Sequence, residues 1–455
     1  MSTGAQTPDP AALIGRLERV PFSKWHVQAR IIVGSATLLD AFDALSLAFA
    51  LPVLIARWHL TATETGLLIG AGYLGQLVGA LLLGAAAERY GRVPSMTMAV
   101  TLMSVMGLAC GLSESYSVLL VCRVVQGIGI GGEMPVAAAY ISELSRAHGR
   151  GRSFLLYEMI FPVGLMLTGQ VAAWVVPVYG WQVLFFAGAV PGLLVAASLA
   201  RLPESPRWLI GRGRLREADA VIRTAERAAS QHVVEAVVPA TAPIATTAAT
   251  GKALWQEVVG PSYRRRTVVV WCLWATAYFI TNGLNNWMPS LYRTVYGLPL
   301  AEALRAASLT NVAQVLVLVV CAFTIDRIGR RLWATTAFAL GGTALAVLAL
   351  LGARDIAQVM VLTTLGYACI GSVNTVLYLY TPEIYPTRMR ALATGLATSW
   401  LRLASAIGPP LVGVMVGATG VVSVFLMFAA CSAAGLIAAT RMIETRGRRL
   451  EDLAA

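Results

Sequence analysis

The segment GAAAERYGRV at residues 84–93 returns as AFTIDRIGRR at residues 322–331, with an acid, two arginines and a glycine at the same spacing. The matched positions, 238 residues apart, are Glu88, Arg89, Gly91 and Arg92, then Asp326, Arg327, Gly329 and Arg330. Self-similarity at a fixed, long offset is typical of a chain built from two copies of one structural unit. Each segment follows a long apolar stretch, so the question is how many such stretches the chain contains.

The composition indicates a protein that crosses a membrane many times. Of 455 residues, 57% are hydrophobic and only 13% are charged, and the mean hydropathy is +0.69. A soluble domain has about 25% charged residues, and a helix needs about 20 apolar residues to cross the hydrocarbon core. Twelve segments meet this requirement, at residues 28–51, 65–87, 94–113, 117–141, 153–176, 182–201, 266–290, 307–325, 332–352, 357–380, 392–416 and 420–441.

The repeat extends to the other charged loops. The loops after spans 4 and 10 carry similar charges, and the ends of spans 6 and 12 each carry a glutamate 240 residues from the other. These residues are Glu143, Arg150, Arg152 and Glu204 in the first half and Glu383, Arg388, Arg390 and Glu444 in the second. We therefore expect an all-α membrane protein of two six-helix halves in parallel orientation, with a cytoplasmic helical insert between them.

The expected domains are an N-terminal half at 1–201, a cytoplasmic linker at 202–264, and a C-terminal half with a short cytoplasmic tail at 265–455. Within the linker, residues 213–230 have apolar residues at helical spacing opposite a charged face, which predicts a surface helix. Residues 252–260 predict a second short helix. The Ala/Thr/Pro-rich stretch between the two is typical of a flexible connection.

Lysine and arginine predict the orientation, because short loops rich in them stay in the cytoplasm. With both termini in the cytoplasm, 29 of the 35 Lys and Arg residues fall on that side. The net charge of +12 is therefore interpreted as a topology signal and not as a nucleic-acid-binding surface. The chain has no Asn-x-Ser/Thr sequence, which favours a bacterial inner membrane, and we expect a monomer.

These motifs resemble those of the major facilitator superfamily over essentially the whole chain. GAAAERYGRV resembles the family's loop motif, with Glu88 where most members have Asp, and RVVQGIGIGGE at 123–133 resembles its motif in span 4. The glycine run in that segment is interpreted as close helix packing, since it follows no strand and cannot be a nucleotide loop. The resemblance implies a twelve-helix transporter that works by alternating access.

Other segments indicate a branch of that superfamily. PESPRWL at 203–209 and YTPEIYPTRMR at 380–390 resemble sugar porters and also the branch of organic-ion, synaptic-vesicle-protein and bacterial niacin transporters. LLDAFDALSLAFALP in span 1 and NGLNNWMPSLY in span 7 look like the niacin transporters, and the Gln-Gln-x-Ser-Gly pattern of sugar porters is missing from span 7. The branch with niacin transporters therefore fits best.

The charged loop residues are predicted to form a cytoplasmic gate, pairing across the two halves when the transporter opens outward. No nucleophile, metal cluster or phosphate loop accompanies them, so we expect no enzyme activity, metal or cofactor. The predicted gate consists of Glu88, Arg89, Arg92, Glu143, Arg150, Arg152, Glu204, Asp326, Arg327, Arg330, Glu383, Arg388, Arg390 and Glu444.

Charged residues inside spans are candidates for proton coupling, because a charge at the centre of a bilayer is costly and is seldom present without a function. Asp40 and Asp43 share a face of span 1, Arg123 lies at a similar depth in span 4, and Glu133 and Glu158 lie nearer the cytoplasm. Carboxylates beside a cation can load and release protons. The alternative interpretation is a permanent structural ion pair.

Polar residues of the second half are candidates for substrate binding. All five asparagines lie in predicted spans of that half, and neighbouring polar residues share their helix faces. Hydrogen bonding between helices is the alternative interpretation. The candidates are Asn282, Asn285, Asn286, Asn311, Gln314, Asn374 and Tyr378.

Arg402 is the only charged residue between Ala391 and Thr440. Ten residues into span 11, at 1.5 Å per residue, it lies about 15 Å deep, near the bilayer centre, where facilitators hold substrate. A guanidinium there suits a carboxylate, although it could instead pair with an acid on another helix. The resemblance adds that anion carriers have arginine at the matching position and cation carriers have aspartate.

These observations predict a secondary active transporter that imports a small aromatic monocarboxylate, nicotinate first, with proton coupling. A hexose/proton symporter and an organic-cation transporter are the alternatives within the fold. A non-transporting membrane receptor or scaffold is an alternative of a different class, and it would bind ligand without flux.

Overall fold

The computed structural model describes residues 9–144, 158–230 and 251–446. Within these residues there are sixteen helices and no β-strand. In chain order the helices are α1 Pro10–Arg19, α2 Lys24–Trp58, α3 Ala62–Tyr90, α4 Arg92–Gly111, α5 Tyr116–Leu144, α6 Ile160–Tyr179, α7 Trp181–Leu199, α8 Pro206–Gly211, α9 Leu215–Ser230, α10 Gly251–Val258, α11 Arg264–Thr294, α12 Leu300–Ile328, α13 Arg330–Leu350, α14 Ile356–Glu383, α15 Thr387–Thr419 and α16 Val421–Thr440.

Twelve of these helices, α2 to α7 and α11 to α16, are long and apolar enough to cross a membrane. Each overlaps one of the twelve predicted spans, so the predicted all-α membrane fold is confirmed; residues 153–157 of the fifth predicted span lie outside the described residues. Several helices extend beyond the predicted limits. Helix α2, for example, has 35 residues and starts at Lys24, four residues before the predicted span. Hydropathy marks only the part of a helix that must lie in hydrocarbon, whereas the helix itself continues until a cap ends it.

Glycines bring α3 and α5 into close backbone contact in the N-terminal half. A Cβ atom added at Gly75 would lie 2.1 Å from the carbonyl oxygen of Val124, and one at Gly127 would lie 2.2 Å from that of Gly72. Side chains at these positions would therefore force the helices apart. The interpretation of the glycine run in span 4 as close helix packing agrees with these distances.

The two halves contact each other at one end of the bundle. An even number of spans brings the chain back to the side where it began, and we call this the terminal side. On the opposite side, a Cβ atom at Gly66 of α3 would lie 2.7 Å from the carbonyl oxygen of Pro409 in α15. Nearby, the amide of Gln170 in α6 donates to the hydroxyl of Ser308 in α12 over 3.3 Å. These contacts close the bundle on the side opposite the termini.

The short helices lie on the terminal side and include two that the sequence analysis did not predict, α1 and α8. Helix α1 places Leu13 and Leu17 against Trp208 of α8 and Ile222 of α9. Helix α9 agrees with the amphipathic helix predicted at 213–230, and α10 agrees with the one predicted at 252–260. The domain boundaries inferred from sequence remain an expectation.

Candidate functional site

A cavity lies between the two six-helix halves, and its roughly 990 Å³ of space between atoms includes space that is open to solvent. Its walls combine aromatic rings, amides and a few charged groups. The polar and aromatic lining residues are Asp40, Tyr73, Gln76, Glu158 and Phe161 from the first half and Tyr278, Thr281, Asn282, Asn285, Gln314, Tyr367, Asn374, Thr375, Tyr378 and Arg402 from the second.

Arg402 is the one cation in this lining, and it lies near the middle of the 33-residue helix α15. The side chain is buried, and one guanidinium nitrogen donates to the backbone carbonyl of Gly131 in α5 over 3.3 Å. Among the residues that the structure describes, no carboxylate oxygen lies within 4.0 Å of the guanidinium nitrogens. Asp40 is close enough for an electrostatic interaction but forms no ion pair with it. Arg402 can therefore accept an anionic ligand.

Aromatic side chains form the wall next to Arg402. Trp274 stacks on Tyr278 with 5.6 Å between ring centroids, and it meets Tyr378 edge to face at 4.7 Å. The indole of Trp274 is itself held by a 3.0 Å hydrogen bond to the hydroxyl of Thr381. Two tyrosine rings are thus fixed against a buried indole at the edge of the cavity. Such a wall suits a flat ring, because offset and edge-to-face ring pairs are favourable.

Four amide side chains add hydrogen-bonding groups from the C-terminal half. Asn282 donates to the hydroxyl of Ser405 over 2.5 Å, and Asn374 donates to that of Thr281 over 3.1 Å. The side-chain oxygens of Asn374 and Gln314 are buried and have no hydrogen-bond partner among the described residues. Asn285 completes the set. Six of the eight predicted substrate-binding residues therefore line one cavity, namely Asn282, Asn285, Gln314, Asn374, Tyr378 and Arg402.

The other two predicted substrate-binding residues, Asn286 and Asn311, do not line the cavity. Asn286 donates to the hydroxyl of Tyr73 over 2.9 Å, across the two halves. Asn311 donates to Asn285 over 3.1 Å and accepts from the hydroxyl of Tyr367 over 3.2 Å. Both asparagines orient side chains that do line the cavity. Residues that share a helix face cover a wider arc of the helix than the part that borders the cavity, so these two asparagines lie beside the lining. Their role in substrate binding stays a prediction.

Two of the predicted proton-coupling carboxylates, Asp40 and Glu158, line the cavity, and both are buried. Glu133 of α5 is fully buried and accepts a 3.0 Å hydrogen bond from Thr37 of α2. Asp40 interacts electrostatically with Glu133 and with Arg402. Three acids and one arginine therefore lie in or beside the cavity, in surroundings where each unpaired charge is costly.

The remaining pair, Asp43 and Arg123, lies outside the cavity lining. Arg123 donates to the side chain of Gln126 over 2.7 Å and to the backbone carbonyl of Asp43 over 3.3 Å. Neither carboxylate oxygen of Asp43 has a hydrogen-bond partner among the described residues. Arg123 therefore contacts Asp43 through its backbone carbonyl, and no ion pair within 4.0 Å joins the two side chains in the described ranges.

The charged loop residues of the N-terminal half form one network on the terminal side. Arg92 contacts Glu88 over 2.8 Å and Glu143 over 3.0 Å. Glu204, between α7 and α8, accepts from the backbone N–H groups of Arg92 and Val93 at the start of α4, over 3.0 and 3.2 Å. A carboxylate at a helix N-terminus satisfies free donors and complements the helix dipole. Burial raises the pKa of Glu204, and these donors act in the opposite direction.

The C-terminal half repeats this network. Arg330 contacts Asp326 over 3.0 Å and Glu383 over 3.1 Å. Glu444 accepts from the backbone N–H groups of Arg330 and Arg331 at the start of α13, over 3.0 and 3.1 Å. Gly329 precedes α13 with a φ of 96°, and a Cβ atom there would lie 2.5 Å from Glu444. This is a physical reason for the glycine in the repeated motif.

The predicted pairing of the gate residues across the halves is not found in this structure. Each ion pair that the described part of the chain forms between gate residues joins residues of one half. Arg89 lies over the ring of Tyr90, and Arg327 is exposed. Arg390 lies in the first turn of α15. Arg150, Arg152 and the side chain of Arg388 lie outside the described parts of the chain.

Sequence reasoning missed several lining residues. Tyr73 and Gln76 lie three apart on α3 and therefore share a face, and a glutamine inside an apolar span could have indicated them. Tyr367 lies seven residues before Asn374 on α14, on the same side of that helix. Thr281 and Phe161 carry no comparable signal, because such residues are common in spans of any kind.

Two six-helix halves around a polar cavity, within a bundle of twelve membrane-spanning helices, define a secondary transporter of small molecules and not an enzyme. The chain belongs to the Sugar (and other) transporter family, whose model matches residues 32–455, and thus to the major facilitator superfamily. It is 30% identical to the niacin transporter NiaP of Acinetobacter baylyi, over 97% of this chain and 99% of that one. It is 24% identical to the synaptic vesicle 2-related protein of Xenopus laevis, over 98% and 83% of the two chains.

Solved structures support the fold. The xylose transporter XylE from E. coli, in a partially occluded inward-open conformation, matches with a TM-score of 0.72. The match covers 94% of this chain and all of that one, at 20% sequence identity. A likeness at this level shows the shared architecture and carries no information on what the cavity binds.

Proposed function

We propose that this protein imports a small aromatic or heteroaromatic monocarboxylate, nicotinate first, together with protons across a bacterial inner membrane. The observation that carries the proposal is Arg402, the single cation in the cavity lining, which has no ion-pair partner among the described residues. A planar guanidinium binds a carboxylate through two parallel hydrogen bonds. A buried, unpaired guanidinium beside an empty volume therefore favours an anionic substrate.

The rest of the lining suits the ring of such a substrate. Tyr278 and Tyr378 offer aromatic faces and edges, and Asn282, Asn285 and Asn374 offer groups that can bond a ring nitrogen. A hexose would need many hydroxyl partners and would have little use for a lone cation. The niacin transporter of A. baylyi, at 30% identity, supports the same choice.

Proton coupling follows from the acids next to the arginine. Asp40 interacts electrostatically with Arg402, and Glu158 lines the same cavity. A substrate carboxylate brought to Arg402 adds a negative charge near both groups. Protonation of one acid removes this repulsion, so binding of the anion and of a proton should favour each other.

The bias of Lys and Arg toward the terminal side supports cytoplasmic termini. In that orientation the halves are in contact on the outer side of the membrane, as between Gly66 and Pro409. Because the bundle is closed on that side, the structure corresponds to an inward-facing state. Outward opening would require separation of these contacts and approach of the halves on the terminal side.

A ligand panel tests the proposal. The purified chain is heated with nicotinate, nicotinamide, benzoate, xylose or a quaternary ammonium ion, and the melting temperature Tm is recorded. We expect nicotinate and benzoate to raise the Tm and nicotinamide to have little effect, because nicotinamide keeps the ring but lacks the charge. Stabilisation by xylose or by the ammonium ion, without stabilisation by nicotinate, would contradict the anion site.

Flux in liposomes separates a transporter from a receptor. We expect uptake of labelled nicotinate that increases when the outside is made more acidic. Ligand binding without uptake in either orientation would instead support a non-transporting receptor, and uptake that is indifferent to a pH gradient would remove the protons from the proposal.

A further inference from the structure

A cleft on the terminal side lies between the start of α11 and the end of α16, far from the cavity. This cleft is open to solvent, and its walls come from Arg264, Arg265, Val268 and Val269 of α11, Pro261 before it, and Arg441 after α16. The three arginines are exposed. Val268 is 56% exposed, whereas Val269 is buried. The cleft therefore combines a cationic rim with an apolar floor.

The internal repeat gives this cleft a counterpart in the first half. A shift of 240 residues, the offset between Glu204 and Glu444, moves Trp25, Gln28, Ala29 and Arg201 onto Arg265, Val268, Val269 and Arg441. These four residues line a cleft between the start of α2 and the end of α7. The two clefts thus occupy equivalent positions in the two halves.

The counterparts differ in what covers them. In the first half, Ala220, Val221 and Thr224 of helix α9 form a wall of the cleft. In the second half the lining comes only from the ends of the two spanning helices and the turn before α11, among the residues that the structure describes. Helix α10 does not fill the place of α9, because it packs against α15 and its Val258 carbonyl accepts from Thr267. Among the described residues, the second cleft therefore has no counterpart of the α9 wall that lines the first.

Charge distinguishes the second cleft further. In the first half one arginine, Arg201, lines the cleft, whereas three arginines line the second. None of Arg264, Arg265 and Arg441 has a carboxylate oxygen within 4.0 Å in the described ranges. Adjacent Arg266 turns away, with its guanidinium over the ring of Tyr263 and a hydrogen bond to the carbonyl of Ile384. Three guanidinium groups thus face one opening at the end of two spanning helices.

We propose that this cleft binds an anionic phospholipid, with the phosphate held by Arg264, Arg265 and Arg441 and an acyl chain along Val268. A basic recess between the ends of membrane helices suits an acidic headgroup, and guanidinium groups bind phosphate oxygens through charge-assisted hydrogen bonds. Val268 is 56% exposed near the start of a helix that is long and apolar enough to cross a membrane, and a free phosphate ion would leave this side chain uncovered. In the first half, helix α9 takes the place that lipid occupies in the second.

Lipid bound in this cleft would make the movement of the C-terminal half during transport depend on the lipid composition of the membrane. The lipid would join the first spanning helix of that half to the last one, α11 to α16. Helix α11 also carries Tyr278 and Asn282 of the cavity, so its position bears on substrate binding. This proposal is independent of the identity of the transported substrate.

Native mass spectrometry of the purified full-length chain tests the proposal. Phosphatidylglycerol, phosphatidylethanolamine and phosphatidylcholine with identical acyl chains are titrated separately, and the bound lipid is counted. We expect the first to bind most tightly. Each arginine near an anionic surface contributes about fivefold, so Arg264→Gln, Arg265→Gln and Arg441→Gln together should lower the affinity for phosphatidylglycerol on the order of 100-fold.

A second triple variant controls for the overall loss of charge. Arg57→Gln, Arg216→Gln and Arg354→Gln remove three exposed arginines that lie elsewhere and should leave the affinity for phosphatidylglycerol within about threefold of the unaltered chain. The single variant Arg441→Gln, with an expected loss of about fivefold, keeps the test informative if the triple variant fails to fold.

Two results would overturn the proposal. One is equal affinity of the unaltered chain for phosphatidylglycerol and phosphatidylcholine, or an equal loss in both triple variants. The other is preferential binding of phosphatidylglycerol only after removal of residues 447–455, which include Glu451 and Asp452. That outcome would mean that Glu451 and Asp452, and not a lipid, occupy the cleft.

Discussion

At the scale of single residues, Arg402 determines the substrate class that we propose. The Arg402→Ala variant should lose nicotinate binding, because the substrate carboxylate would enter the cavity without its cation. Loss of a desolvated charge partner costs about 2–5 kcal/mol, or roughly 30-fold to several thousand-fold in affinity. Calorimetric titration with nicotinate would measure the change. Lysine at this position should restore only part of the affinity, since it keeps the charge but loses the planar pair of donors.

The stability of the ligand-free protein separates this role from a structural one. If Arg402 serves mainly to bind substrate, its removal should change the Tm of the ligand-free protein little, because its guanidinium forms no ion pair with a described carboxylate and its removal frees only one weak bond to the Gly131 carbonyl. A stable alanine variant that still binds nicotinate normally would refute the anion site. The exposed Arg57→Ala variant serves as the matched control for loss of one arginine.

Substitutions can also show which of the candidate carboxylates, Asp40 or Asp43, carries the proton. Asp40 lines the cavity and interacts with Arg402, whereas Asp43 lies outside it beside Arg123. If Asp40 carries the proton, Asp40→Asn should lower concentrative uptake at least tenfold and leave nicotinate exchange nearly intact, because exchange releases no proton. Paired liposome assays of uptake and exchange would measure both. A similar loss of both activities would give Asp40 a structural role, and the same test on Asp43→Asn shows whether the proton site extends beyond the cavity.

Some of these residues could be identified from sequence and others could not. A lone arginine or carboxylate in an apolar helix is conspicuous, because hydrocarbon makes it costly, and Asp40 and Arg402 were found on that basis. Depth along a helix follows from residue count, but rotation about the helix axis depends on the packing of neighbouring helices. That is why Asn286 and Asn311 were predicted to bind substrate, although they hold Tyr73, Asn285 and Tyr367 in place.

At the scale of helices, the contact between α3 and α5 depends on glycines at specific positions. A Cβ atom at Gly75 would meet a backbone carbonyl at 2.1 Å, whereas one at Gly84 of the same helix would have no atom within 4 Å. Gly75→Ala should therefore lower the Tm and the yield of folded protein, since overpacking costs about 1–3 kcal/mol. Gly84→Ala should be neutral or slightly stabilising, by about 0.5–1 kcal/mol. Equal Tm values for the two variants would contradict the predicted close contact.

The attachment of α1 to α9 should depend on pH. Arg16 forms ion pairs with Asp219 over 2.6 Å and Glu226 over 2.7 Å. Burial alone would raise the pKa of Asp219, but its bonds with Arg16 and Arg223 outweigh burial and hold the pKa below its ordinary value. A lowered carboxyl pKa contributes stability above the ordinary value, near 3.9, and that stability is lost as the pH falls through the lowered value.

Hydrogen exchange in α1 measures this effect. We expect protection of its amides, corrected for intrinsic exchange, to be constant near neutral pH and to fall at acidic pH below about 4. Arg16→Gln should weaken protection at neutral pH and remove most of its pH dependence. An unchanged pH profile in that variant would show that the apolar contacts of Leu13 and Leu17 hold α1 without the ion pairs.

Helices were more predictable than their contacts. The length and hydropathy of the twelve apolar segments are sufficient to identify them, because hydrocarbon permits almost no other backbone arrangement. Helix α1 was missed, since its stability comes from Trp208 and Ile222, far away in sequence. No local pattern in residues 10–19 reveals those partners.

At the scale of the whole molecule, each half is held together on the terminal side by its own charges. Glu204→Gln together with Glu444→Gln should lower the Tm, because each carboxylate accepts from two backbone N–H groups at a helix start. An amide accepts through only one oxygen and carries no charge. Glu88→Gln with Asp326→Asn is the matched control, since these acids are 71% and 83% exposed and such pairs contribute about 0–1 kcal/mol.

Thermal melting of both double variants in detergent would measure the difference. Equal shifts would mean that the half-buried Glu204 and Glu444 do no more than the exposed Glu88 and Asp326, which would contradict their role at the helix starts. Accessibility of cysteines introduced near the terminal side would then show whether either pair affects the opening between the halves.

Pairing of the gate residues across the halves was predicted for the outward-open state, and it stays a prediction, because in this structure the halves are in contact at the opposite end of the bundle. Opposite charges in repeated motifs can pair within a repeat or between repeats, and the same residue types at the same positions are compatible with both arrangements. Here Arg92 contacts Glu143, and Arg330 contacts Glu383, each within its own half. The internal repeat predicts two similar units, but their relative positions depend on which end of the bundle is closed.

In the absence of substrate, the hydrogen bond from Arg402 to the carbonyl of Gly131 joins α15 of the second half to α5 of the first. In the proposed transport cycle, a substrate carboxylate that engages the donor nitrogen of Arg402 would withdraw it from Gly131, so the substrate and the backbone carbonyl would compete for one donor. Substrate binding would then weaken the contact between α15 and α5, and release would restore it. The restored hydrogen bond would offset part of the free energy that release requires.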